Sequence, residues 1–136
     1  MENLISQDVW TRIRTHARLV TFVTHLDRNV DESLTLADAA KIACMERTAF
    51  SKFFRKATGV GYRSFVHSFR ISRATLLIQS SDASITQVSH AVGYSDISTF
   101  ERRFRAIVGV SPTEYRRRAS LSRTDSGKPQ ERPTAA

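Results

Sequence analysis

Residues 85–116 read ITQVSHAVGYSDISTFERRFRAIVGVSPTEYR, and the punctuation of this stretch decides the fold. Ser84, with Gln87 three positions on, forms a capping box ahead of Ile85, Val88 and Val92, which recur at helical spacing. Gly93 closes that short helix. Asp96 is placed to cap the next one, whose apolar stripe is Phe100, Phe104, Ile107 and Val108, and Gly109 stops it. Ser111, Pro112 and Glu114 then supply a cap, a proline at the first helical position and a capping-box acid for a last short helix through about Arg117. A short helix, a turn and a longer helix with paired aromatics make a helix-turn-helix unit.

The same pattern stands earlier in the chain. Thr35 and Asp38 form a variant capping box before Leu36, Ala39, Ala40 and Ala43, and Phe50, Phe53, Phe54 and Ala57 make a stripe that Gly59 ends. Leu36, Ala39, Ala43, Cys44 and Met45 correspond to Ile85, Val88, Val92, Gly93 and Tyr94. Phe50, Phe54, Gly59 and Val60 correspond to Phe100, Phe104, Gly109 and Val110, with one extra residue in the second turn. Between the copies, Phe65, Phe69, Ile71, Ala74, Leu77 and Ile78 predict a helix from about Tyr62 to Gln79. Ahead of them, Leu19, Phe22, Val23 and Leu26 predict one from about Asp8 to Val30.

The expected fold is therefore all-α, about seven helices in two helix-turn-helix subdomains joined by a linker helix. The boundaries fall at an N-terminal segment 1–15, a first subdomain 16–61, a linker helix 62–80, a second subdomain 81–118 and a tail 119–136. That tail is rich in Ser, Thr, Pro and charge, and is expected to be a disordered basic one.

Function lies on the faces opposite the aromatic stripes. On the Phe50 helix these positions are Thr48, Ser51, Lys52 and Arg55, with Arg47 beside them; on the Phe100 helix they are Ser98, Glu101, Arg102 and Arg105. Arg and Lys can pair with guanine O6 and N7 in a major groove, and hydroxyls serve base or phosphate. Any single polar helix face is as readily explained by solvent, but two copies in matching positions favour recognition.

Charge agrees with that reading. Lys and Arg outnumber Asp and Glu by 21 to 13, a formal net charge of +8, which favours polyanionic partners. The segment from Arg47 to Arg73 holds seven Lys or Arg and no acid. No apolar run approaches the roughly 18 residues of a membrane span, and the N-terminus lacks a signal-peptide pattern, so a cytoplasmic location without membrane contact is expected. The single cysteine, Cys44, allows no intrachain disulfide and is expected as a small buried turn residue. His16, His25, His67 and His90 lack metal-ligand spacing, and no phosphate loop or nucleophile motif is present. No metal, no cofactor, no catalytic residue and no enzymatic activity are expected.

The stretch from Ile85 to Arg116 closely resembles the signature of the AraC/XylS family of bacterial transcription regulators, and the resemblance extends from about His16 to Arg117. It implies a duplex-DNA-binding transcription regulator like the family's short members, with recognition helices beginning near Glu46 and Asp96. It places base contacts on Thr48, Ser51 and Lys52, and on Ile97, Ser98, Glu101 and Arg102. It also implies activation through RNA polymerase, while repression by promoter occupancy would use the same surface. Two recognition helices on one chain predict a monomer on DNA.

There are departures from the family pattern. Cys44 stands where Gly is common, and Glu46 where a Ser-like cap is usual, so a less secure cap is expected there. Ile97 fits either a core position or a thymine methyl. Glu101 fits either cytosine N4 or a neighbouring Arg. Two other classes stay open: a basic adaptor for a protein partner, which would bind DNA weakly and without sequence preference, and a structured-RNA binder, which lacks exposed aromatics for stacking.

Overall fold

A computed structural model describes residues 4–32 and 34–122 of the chain. Most of the helices begin where a side chain takes up a free amide, and the two longer helices of the repeat end on a left-handed glycine. Ser6 caps α1 (Gln7–Arg14), its Oγ accepting from Val9 N at 3.3 Å. Helix α2 (Ala17–Arg28) follows. Two of the three predicted capping boxes are complete, on α3 (Leu36–Ile42) and α6 (Ile85–Ala91). The longer partners are α4 (Arg47–Thr58) and α7 (Ile97–Val108), each closed by a left-handed glycine, Gly59 or Gly109. Helix α5 (Tyr62–Ser80) joins the two units, and α8 occupies 112–122. The described residues are thus all-helical, as expected.

Three expectations change. The helix from Asp8 to Val30 is two helices, because the chain turns at Thr15 and His16, with the Thr15 hydroxyl and the His16 ring both on the Arg12 carbonyl. Nothing in the local sequence demands that break. It lets α1 fold back, so that Ile5, Val9 and Ile13 enter the first core and Trp10 sets its edge against Phe65 and Phe69. The expected N-terminal segment is core-forming over its described part. Helix α8 does not stop near Arg117, since the Glu114 carboxylate ties Arg117 and Arg118 at i+3 and i+4. Of the expected disordered tail, 119–122 are helical and the remainder lies outside the described residues. Cys44, finally, is exposed, not buried.

Two hydrophobic clusters form. The first is aromatic: Phe22, Phe50, Phe54, Tyr62 and Phe65 meet with ring centroids 5.3–6.1 Å apart. The second gathers Ile71, Ala74, Ile78, Val88, Val92, Tyr94, Phe100 and Phe104. Helix α5 serves both, with Tyr62, Phe65, Val66 and Phe69 in the first and Ile71, Ala74 and Ile78 in the second. Val30, in the loop after α2, packs against both.

The repeat holds at the level of single hydrogen bonds. After α3, Met45 N donates to Ala40 O (2.8 Å) and Cys44 N to Lys41 O (3.0 Å); after α6, Tyr94 N donates to Ser89 O (3.0 Å) and Gly93 N to His90 O (3.1 Å). Both are Schellman turns, which require one left-handed residue. Gly93 takes it at φ 100° and Cys44 at φ 61°, the one non-glycine with positive φ among the described residues. The copies differ in what surrounds that residue. A Cβ on Gly93 would stand 2.5 Å from the Val30 carbonyl oxygen and 3.0 Å from Arg70 Cζ, whereas the exposed Cys44 pays only the torsional cost.

Gly93→Ala should therefore destabilise the protein by roughly 2–5 kcal/mol, the left-handed cost plus a backbone clash. Gly109→Ala, where a Cβ would meet nothing within 4 Å, should cost only about 1–2 kcal/mol. Urea unfolding of the two variants beside the wild type measures the difference.

Candidate nucleic-acid interface

Burial of one face of α4 and α7 leaves the other to carry charge. Phe50 and Phe54, and Phe100 and Phe104, are fully buried, with Phe53 packed partly against the first core, so the opposite face of each helix points away from the cores. On α4, Arg47, Thr48, Lys52 and Arg55 are exposed and Ser51 is half-buried; on α7, Ser98, Glu101, Arg102 and Arg105 are exposed. All nine lie where the periodicity placed them. Ile97 is half-buried and is not one of the side chains of the second core. Glu101 makes no ion pair with a described residue, which leaves its carboxylate open on the same surface as Arg102 and Arg105.

Helix α7 and the start of α8 enclose a shallow depression of about 490 Å³ lined by Ser98, Glu101, Arg102, Arg105, Ala106 and Ser111. Ala106 and Ser111 were not among the expected site residues. Ser111 was legible only as a cap, a role it fulfils by accepting from Glu114 N at 3.1 Å. Its place beside Arg105 depends on the direction in which the chain leaves Gly109.

Each recognition helix starts on a carboxylate. Glu46 Oε1 accepts from Ala49 N at 3.0 Å, so the cap expected to be less secure is formed, the longer side chain reaching back where a serine would sit closer. Asp96 accepts from Ser98 N at 3.2 Å and from the Thr99 hydroxyl at 2.8 Å. Backbone amides of Thr48 and Ala49 hold Glu46 below its ordinary pKa, and the Thr99 hydroxyl followed by the Ser98 amide does so for Asp96.

Two residues that the periodicity did not single out stand at the junction of the two units. Arg70, only 8% exposed, donates through Nη2 to the Glu32 carbonyl (2.8 Å) and through Nη1 to the Gly93 carbonyl (3.3 Å). Tyr94 lies beneath it, the guanidinium 5.9 Å from the ring centroid, and places its hydroxyl 2.7 Å from His67 Nδ1. Burial, then the charges of Arg103, Arg70 and Arg63, push His67 below its ordinary pKa, which favours a neutral ring able to accept a hydrogen bond from the tyrosine hydroxyl.

A helix-turn-helix domain family matches residues 39–118, more than half of the chain. The chain belongs to the AraC-type helix-turn-helix family. This AraC-type chain is 30% identical over 92 residues to the Transposon Tn10 TetD protein of Escherichia coli, covering 68% of this chain and 67% of that protein. It is 30% identical over 125 residues to the transcriptional activator RhrA of Rhizobium meliloti, covering 88% of this chain and 40% of RhrA. Of several other relatives it spans between 31% and 36% of their length. Among solved structures, the DNA-binding domain of AdpA, a global transcriptional factor in complex with a target DNA, superposes with a TM-score of 0.76 at 26% identity over 80% of this chain and 98% of that one. The AraC-type chain thus carries a helix-turn-helix domain of the kind that serves as the DNA-binding domain of AdpA. Among the described residues no helix is long and apolar enough to cross a membrane.

Because both caps titrate lower when folded than when unfolded, their stabilisation is present above the ordinary carboxylate range and lost as pH falls through the lowered folded values. Amide protection at the first turns of α4 and α7, taken relative to the intrinsic exchange rate at each pH, should therefore fall selectively as pH drops below roughly 4. In Glu46→Gln the α4 turn should lose this acid dependence while α7 keeps it. Proton exchange followed by NMR reads both.

Proposed function

We propose that this regulator reads duplex DNA with both helices, α4 and α7 entering successive major-groove segments. The observation that supports it most is the repeated pairing of a fully buried aromatic face with an exposed face of hydroxyls and cations. Arg47, Thr48, Ser51, Lys52 and Arg55 form the first reading surface, and Ile97, Ser98, Glu101, Arg102 and Arg105 the second. Arg102 is assigned to a guanine edge. Arg55, in the last turn of α4, is assigned to phosphate. Ile97, half-buried at the first position of α7, is assigned to apolar contact with a thymine methyl.

In this reading 16–61 and 81–118 act as two reading units and 62–80 as their spacer. At the standard rise the 19 residues of α5 span about 28 Å, to be compared with the roughly 34 Å between groove segments one turn apart. One monomer then covers an asymmetric site of about two turns, and DNA that does not match the spacer must bend. A cytoplasmic regulator that activates through RNA polymerase is the extension we favour, supported by the likeness to RhrA, an activator.

Selection from random duplexes should return one asymmetric sequence. Its affinity should fall steeply with salt, as phosphate-bound counterions are displaced. On that site Arg102→Ala should cost roughly 1–3 kcal/mol and much less on random DNA, whereas Arg55→Ala should weaken both alike. Equal binding of selected and random duplexes at moderate salt would replace this reading with the protein adaptor. Mass measurement of the complex should give one protein per duplex, and two on an inverted repeat would exclude the monomer.

A further inference from the structure

A buried arginine between two carbonyls, one from each half of the molecule, is an expensive way to fill space. Desolvating a guanidinium costs free energy that only good hydrogen bonds offset, and Arg70 leaves its Nε buried without a partner. The surroundings are built to receive it. The Glu32 carbonyl comes from the loop between α2 and α3, and the Gly93 carbonyl from the Schellman turn between α6 and α7. Gly93 carries no side chain at the point where a Cβ would meet Arg70 Cζ and the Val30 oxygen, so the turn of the second unit lies directly on the loop of the first. Val30 packs into both cores, and Tyr94 beneath the guanidinium is held by His67 of the spacer helix.

We propose that Arg70 is the positioning residue that fixes the second reading unit against the first, and so sets how many base pairs separate the two segments of the DNA site. The helix axis alone leaves a packed unit free to rock about α5. A planar fork bonded at both prongs removes that freedom, which a point-charge ammonium cannot do. Two linked binding elements gain from each other only at the spacing their linker permits, and a stiff joint confines that gain to one spacing. Arg70 touches no proposed base or phosphate contact, so its effect falls on spacing, not on the reading of either segment. This inference rests on the two-segment reading above.

The test uses the full chain and the selected duplex, with one or two base pairs inserted or deleted between its segments, and duplexes carrying either segment alone. Each inserted pair shifts the second segment by about 3.4 Å along the axis and about a tenth of a turn around it. Wild type should prefer the selected spacing over a single insertion by roughly thirtyfold or more. Arg70→Met, checked for folding by circular dichroism, should cut that preference at least about tenfold while changing single-segment binding less than about threefold. Arg70→Lys keeps the charge but not the fork, and should also lower the preference; it decides the matter if the methionine variant does not fold. Folded Arg70 variants that keep the wild-type spacing preference would overturn the proposal. So would a wild type that tolerates insertions while both segments still contribute. A selected site with only one segment would instead remove the two-segment reading itself.

Discussion

One helix has to complete two cores. Neither helix-turn-helix unit closes over its own apolar face, and α5 supplies the missing side to both, with buried residues pointing in nearly every direction around its axis. A helix apolar on all faces would have no register relative to the units it serves, because one apolar contact resembles another. Arg70 breaks that degeneracy. Its two bonds can be made together only when the loop after α2 and the turn after α6 stand at one mutual position, so a polar group buried at some cost contributes uniqueness of arrangement.

The two copies of the repeat show how the same local motif is adapted to that constraint. Both turns use the same pair of Schellman hydrogen bonds, and both need a left-handed residue. In the second copy the space beside that residue is taken by Val30 and Arg70, which makes glycine a steric requirement. In the first copy the corresponding residue faces solvent, and a cysteine is tolerated at the torsional cost alone. The departure at Cys44 from the family's usual glycine therefore follows from which copy bears the contact between the units.

The reading faces are organised by the same economy of local structure. Carboxylate caps begin both α4 and α7, where the exposed amides and the helix dipole favour negative charge, and the cations follow within the next turns. The acids are bound to their own backbone and do not pair with Lys52 or Arg102, so the positive surface stays available to phosphate and base edges.

Much of this was written in the order of residues alone. Capping boxes at Thr35 and Ser84, glycine stops at 59 and 109, and aromatic pairs spaced one turn apart each act over three or four positions, so a linear reading finds most of the helices, the repeat and the nine outward residues of α4 and α7. What lies beyond that range was decided by packing. The break at Thr15 and His16 carries no glycine or proline and exists because α1 gains more by folding onto Phe65 and Phe69 than by continuing α2. The exposure of Cys44 and the placing of Ser111 beside Arg105 likewise depend on how the helices assemble, whereas α8 continues past Arg117 on the local pairs that Glu114 makes with Arg117 and Arg118. Arg70 is the clearest case. In the sequence it is one cation in a run of seven, flanked by Phe69 and Ile71, and nothing local separates it from Arg63 or Arg73. Its role comes from carbonyls 38 and 23 residues away, brought within reach only by the tertiary fold.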